Sequence, residues 1–189
     1  MEIMETLSLE SLTEMSPGLK PAAHALLNSE QRGFLERLDK FEAPYLEEKL
    51  IGEGKFSSKG EYQEAFTEFK KFSALNIFYP NKRIGMPSEK VDEVWHQFIL
   101  FTQKYNGFCE EFLGYFLHHS PHISSTPKSR KLEGAINFAR TYQDIFGEIP
   151  SIWKNGKYDF SQVGSSGCDG CDTSGPSGGC STGCDKSED

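Results

Sequence analysis

Residues 86–122 read MPSEKVDEVWHQFILFTQKYNGFCEEFLGYFLHHSPH and decide the fold class. They hold four of the five histidines, and they contain Cys109, which stands apart from the four C-terminal cysteines. Pro87-Ser88 marks a helix start, with Ser88 as N-cap. Glu89, Asp92 and Glu93 follow in the first turn, where the helix dipole favours negative charge. Val91, Val94, Trp95, Phe98, Phe101, Thr102 and Tyr105 then fall on one broad face, with Ile99 at its margin, as in a core-facing helix. His96 sits off that stripe, on the side of Asp92 one turn earlier. Asn106-Gly107 is a breaker pair. Beyond it, Phe108, Phe112 and Phe116 at four-residue spacing predict a second helix, ending near His118, His119 and His122. Two antiparallel helices of matched length about the Asn106-Gly107 turn would return His118 and His119 to His96.

The same residues resemble a known family. Pro87-Ser88, Val91-Asp92, Val94-Trp95-His96, Leu100, Thr102, Tyr105, Phe108-Cys109, Gly114 and His118-His119 before Pro121 are similar to the signature of the glycine-rich-domain-containing-protein-like family. The likeness extends upstream through Ala65, Phe69, Phe72 and Leu75 and downstream to the Cys/Gly-rich tail, over roughly residues 45–184. It implies a compact helical domain and no particular reaction. Many members carry a second histidine two positions after the Trp-His pair. Here that position is Phe98, so the resemblance gives this helix one histidine.

The remaining chain continues the helical pattern. Leu27, Phe34, Leu38 and Phe41 are spaced for one helix face within residues 22–42, and Pro44 stops or kinks that helix. Tyr45, Leu46, Leu50 and Ile51 suggest a short helix before Gly52-Glu53-Gly54. Tyr62, Ala65, Phe66, Phe69 and Phe72 predict a long helix over 60–77. Thr126 as N-cap and Pro127 at the first helical position open another, with Leu132, Ala135, Ile136, Ala139, Tyr142 and Phe146 as its buried face and Gly147 as its stop. Trp153 is expected to dock back on the domain. Strand alternation is nearly absent. The fold expected is all-α, a compact bundle of about five helices over residues 21–160, with a flexible arm over 1–20 and a Gly/Ser/Cys-rich tail over 161–189.

Composition narrows the function. The 189 residues carry a net charge of −8, and no apolar run approaches the ~18–20 residues that span a bilayer. The N-terminus lacks a basic region before an apolar one, so a cytoplasmic protein is expected. An acidic chain without a basic stripe is a poor partner for nucleic acid, and none is expected. Neither a membrane partner nor a phosphate loop is expected; the partner would be a protein or a small molecule. No nucleophile elbow and no His-Glu-x-x-His motif occurs.

Two clusters suit metal. Cys168, Cys171, Cys180 and Cys184 form two close pairs across a glycine-rich loop, the donor set of a tetrathiolate site for zinc, with iron–sulfur the lesser alternative. The other reading of the tail is four free thiols on an unfolded segment. Asp92, His96, Cys109, His118 and His119 form the second candidate site. Its other reading is structural, with His96 bonded to Asp92, Cys109 packed as a small apolar residue and the paired histidines capping a helix end. The leading expectation is a non-enzymatic helical binding module with a metal-capable Cys tail. The alternative is a metal-dependent enzyme using His96 and His118-His119. Because residues 164–189 hold no periodic apolar face, their deletion should leave the helical fold intact. Far-UV dichroism and thermal melting of the truncated chain check this, and loss of cooperative unfolding would make the tail part of the fold.

Overall fold

The protein is described by a computed structural model over residues 27–120 and 124–154. The proposed N-terminal arm, His122 and the four tail cysteines lie outside the described residues. The architecture is all-α: six α-helices, one π-helical turn and one 3-10 turn, with no strand among the described residues.

Helix α1 spans Ser29–Asp39. Asn28 and Gln31 cap it reciprocally: the Asn28 side chain accepts from the Gln31 amide and the Gln31 side chain from the Asn28 amide. The helix ends at Asp39, short of Pro44, so the proline does not stop it. Instead Pro44 sits in the first turn of α2, Pro44–Gly52, where its missing N–H costs nothing. Ser58 caps α3, Lys59–Phe78, by accepting from the Glu61 amide. Helix α3 is the central strut, packing on α1, α2, α4 and α6. Here α4 is Glu89–Leu100 and α6 is Lys128–Phe146.

The expected turn at Asn106-Gly107 is not where the chain breaks. Helix α4 stops at Phe101, which has φ −82° and ψ 61°. Helix α5, Thr102–Phe108, then runs straight through Asn106-Gly107. Asn106 helps by donating to Glu110 one turn on, at 2.6 Å, a pairing that supports helix at i,i+4 spacing. The bend rotates Thr102 out to solvent, so it does not share the core face of Val91, Trp95 and Phe98. A π turn, Cys109–Leu113, extends α5 to Gly114, whose φ of 72° ends it. Phe116 lies beyond that end and is half-exposed, although its ring still meets the edge of Tyr105.

Helix α6 starts one residue later than expected, with Pro127 as its N-cap. Ala135, Ala139, Tyr142 and Phe146 of the expected face are buried, but Leu132 is exposed, and Gly134, Phe138 and Ile145 join the buried side. Gly134, on the buried side, meets Gly85. A Cβ on Gly85 would lie 2.8 Å from the Gly134 carbonyl carbon, and the Gly85 amide donates to the Gly134 carbonyl at 3.0 Å. A Cβ on Gly134 would be a tight 3.2 Å from Gly85 Cα, so Gly85 is the position at which the close approach most requires glycine.

Aromatic rings fill the space between helices. Phe69, Phe98 and Phe108 are buried and in mutual ring contact, with Phe41 packed against the last two. Two charged side chains of α3 are buried with them. Lys70 closes the end of α1 by donating to the carbonyl of Asp39 at 2.6 Å. Burial holds its pKa below the ordinary lysine value, against the opposing pull of Asp39 and Glu42. Glu68 is 4% exposed. Its carboxylate accepts from the Tyr142 hydroxyl at 2.7 Å and from the Trp153 indole at 2.5 Å, and it pairs with Lys71 at 2.8 Å. Trp153, in the 3-10 turn Ser151–Trp153, therefore docks on the body through a specific acceptor. Removing one partner from a buried ionic network strands the others. Glu68→Ala should destabilise the fold by about 3–5 kcal/mol. Chemical denaturation checks this; a midpoint equal to that of the wild type would show that the cluster carries no stability.

Candidate metal centre

The site is built from α4 outward. Ser88 fixes the start of α4 twice over: its hydroxyl accepts from the Val91 amide and donates to the Ile152 carbonyl at 2.7 Å. From that start, Asp92 and His96 stand one turn apart on the flank of the helix. Trp95, one position before His96, points inward and is buried.

The return of His119 to this flank needs no second long helix. After Gly114 the chain leaves helical geometry and runs back past α4. Tyr105 fastens it there. The Trp95 indole donates to the Tyr105 hydroxyl at 2.9 Å, and that hydroxyl donates to the Leu117 carbonyl at 2.5 Å. Burial pushes the Tyr105 pKa upward, so the hydroxyl stays protonated and keeps this donation. Two residues beyond Leu117, the ring of His119 meets Trp95 edge-on at 4.5 Å and lies 4.2 Å from the ring of His96.

Asp92 joins both imidazoles. His119 Nε2 lies 2.8 Å from Asp92 Oδ1. His96 Nδ1 lies 2.8 Å from the Asp92 carbonyl and 3.4 Å from its Oδ2. All of these oxygens are acceptors, so each named nitrogen donates in this arrangement, and a metal bound through it would take the place of that hydrogen. One ligand atom from each of Asp92, His96 and His119 falls within 4.8 Å of the others. A zinc ion holding donors at ~2.1 Å requires them within about 4 Å of one another, so closure takes a shift on the order of an ångström. The His119 side chain is 12% exposed and that of His96 50%, so the site is anchored on its inner side and open on the other.

Two candidates from the sequence are not part of this triad. His118 is exposed, its ring against Phe116 at 4.9 Å, and it lines the adjoining cleft rather than facing Asp92. Cys109 is a buried free thiol at the start of the π turn. Neither histidine of the pair caps a helix, because the preceding helical turn closes at Gly114.

Asp92 and His119 also line a cleft of about 190 Å³, together with Trp95, Asn76, Arg83 and Arg130. The arginines carried no signal in the sequence. Arg83 lies in a loop and Arg130 in a short basic run, and only the Gly85–Gly134 contact reveals that they share one wall. Among the described residues, no helix is long and apolar enough to cross a membrane.

The family model described as UCP032817-like matches residues 31–142, a span that contains Asp92, His96 and His119. The chain belongs to the UCP032817-like family. No curated protein and no solved structure matches it.

Tyr105→Phe removes the hydroxyl that holds Leu117 to Trp95, leaving a buried donor and a buried acceptor unpaired. A loss of about 1–3 kcal/mol is expected, lowering the melting temperature by roughly 2–10 °C. Calorimetry reads this directly; an unshifted transition would mean that the return segment is held by other contacts.

Proposed function

We propose that this member of the UCP032817-like family is a metal-dependent binding module, its divalent ion held by Asp92, His96 and His119 in the helical body. The observation that carries this reading is the convergence of two imidazoles and one carboxylate within 4.8 Å at the mouth of a cleft. Two histidines and a carboxylate suit zinc or ferrous iron. Three protein ligands leave coordination positions open for a small molecule, whereas a structural zinc site closes with four. Trp95 and Tyr105 behind the site fix the His119 ring, which limits the reorganisation that binding demands. Binding comes before chemistry in this reading, because Asp92 is the one carboxylate lining the cleft among the described residues and it is engaged as a ligand.

The tail cysteines, Cys168, Cys171, Cys180 and Cys184, remain a second metal-capable set, and the resemblance to the glycine-rich-domain-containing-protein-like family favours a role for them. They share no residue with the helical site and can be substituted separately.

Titration of zinc into the full chain carrying serine at the four tail cysteines tests the reading. One ion per chain should bind. His119→Ala and Asp92→Asn should each weaken affinity at least ~10-fold, the lower end of the effect known for residues that orient a metal ligand. His118→Ala should leave it unchanged. Zinc binding that survives both His119→Ala and Asp92→Asn would sink the proposal.

A further inference from the structure

We infer that the cleft beside the metal site is a receptor for a small oxyanion, a carboxylate or phosphate group held by Arg83 and Arg130. The inference rests on the proposed reading in placing the rest of the ligand against Asp92 and His119, but the anion subsite is defined by residues of its own.

Charge is the first argument. The chain is acidic overall, at −8, yet among the described residues this cleft is lined by two arginines, with His118 and His119, against the one carboxylate of Asp92. Neither guanidinium is in an ion pair among the described residues. A pair of uncommitted guanidinium groups in a concave site attracts anions and binds carboxylate or phosphate in fork geometry.

Construction is the second argument. Arg83 and Arg130 are far apart in sequence and come from different elements. The Gly85–Gly134 backbone contact brings them to one wall, and the Asn137 side chain reinforces it by donating to the Arg83 carbonyl at 3.1 Å. The loop preceding α4 is thus pinned to α6 at the position that pairs the arginines. Asn76 lines the same cleft and offers a further polar contact.

Size is the third. A volume of about 190 Å³ lies below the ~300–1,000 Å³ of drug-sized ligand sites. It suits a compact ligand with one or two anionic groups rather than a nucleotide or a peptide.

The test titrates inorganic phosphate, and separately malonate, into the full chain in metal-free and zinc-loaded forms. It uses calorimetry together with tryptophan emission, since Trp95 lines the cleft. Saturable binding of at least one anion is expected, with the preferred probe distinguishing a phosphate from a carboxylate ligand. Arg83→Gln and Arg130→Gln should each weaken it roughly tenfold or more, as expected for a charge-assisted hydrogen-bonding group. Both arginines are exposed, and dichroism of the variants verifies their fold. Failure of both anions to bind either form overturns the inference, as does binding that the double substitution leaves intact. The metal-free arm separates the two proposals. Anion binding there that depends on the arginines supports the subsite whatever the outcome of the zinc titration.

Discussion

The carboxylate of Glu68 is the constraint on which the arrangement depends. It lies in the middle of the central helix and takes hydrogen bonds from Tyr142 of α6 and Trp153 of the C-terminal turn. A buried carboxylate is tolerated only when its acceptor capacity is used and its charge compensated, and Lys71 supplies the compensation. With Trp153 fixed, its neighbour Ile152 presents its carbonyl to Ser88, and that bond sets where α4 begins. Helix α6, held by Tyr142, carries Gly134 to Gly85. The start of the site-bearing helix and one wall of the cleft therefore both trace to one buried acid.

A second, smaller device sets the site itself. Tyr105 stands between the Trp95 indole, from which it accepts, and the Leu117 carbonyl, to which it donates. It converts the identity of three residues spread over about two dozen positions into the placement of His119. Asp92 completes the arrangement by engaging both rings, so the imidazoles are oriented by the helix that bears one of them.

Much of this was legible in the sequence, and the failures have physical causes. Helical spacing of apolar residues gave the long helices, because burial of a stripe is what stabilises them. Ser88 as a cap and Asp92 beside His96 followed from local chemistry alone. The break at Phe101 was not legible, since a phenylalanine carries no breaker signal and the bend is imposed by packing. Asn106-Gly107 misled for the converse reason: a local breaker was overruled by the Asn106–Glu110 bond and by the buried neighbours Tyr105 and Phe108. The buried face of α6 was read correctly at Ala135, Ala139, Tyr142 and Phe146 but wrongly at Leu132, because the pattern weighs a leucine and disregards Gly134, whereas the backbone contact places the glycine inward. Glu68 did leave a trace. Its neighbours Ala65, Phe72 and Leu75 are apolar, but Glu64 and Lys71 at i−4 and i+3 are charged, so the trace was a weak one. His119 was expected near His96, but through a helical hairpin; the chain returns without regular secondary structure instead.

The meeting of Gly85 with Gly134 bears on how this fold tolerates sequence drift. Contacts between side chains can drift together, one growing as the other shrinks, because rotamers absorb the difference. Two bare backbones have no such slack. A single methyl group at position 85 would sit 2.8 Å from a carbonyl carbon, with nothing flexible to yield. Glycine-to-alanine, ordinarily among the gentlest replacements on a surface loop, is here a wedge between two elements. The spacing of the cleft is thus recorded in atoms the protein leaves out, and that record can be lost but not gradually rewritten.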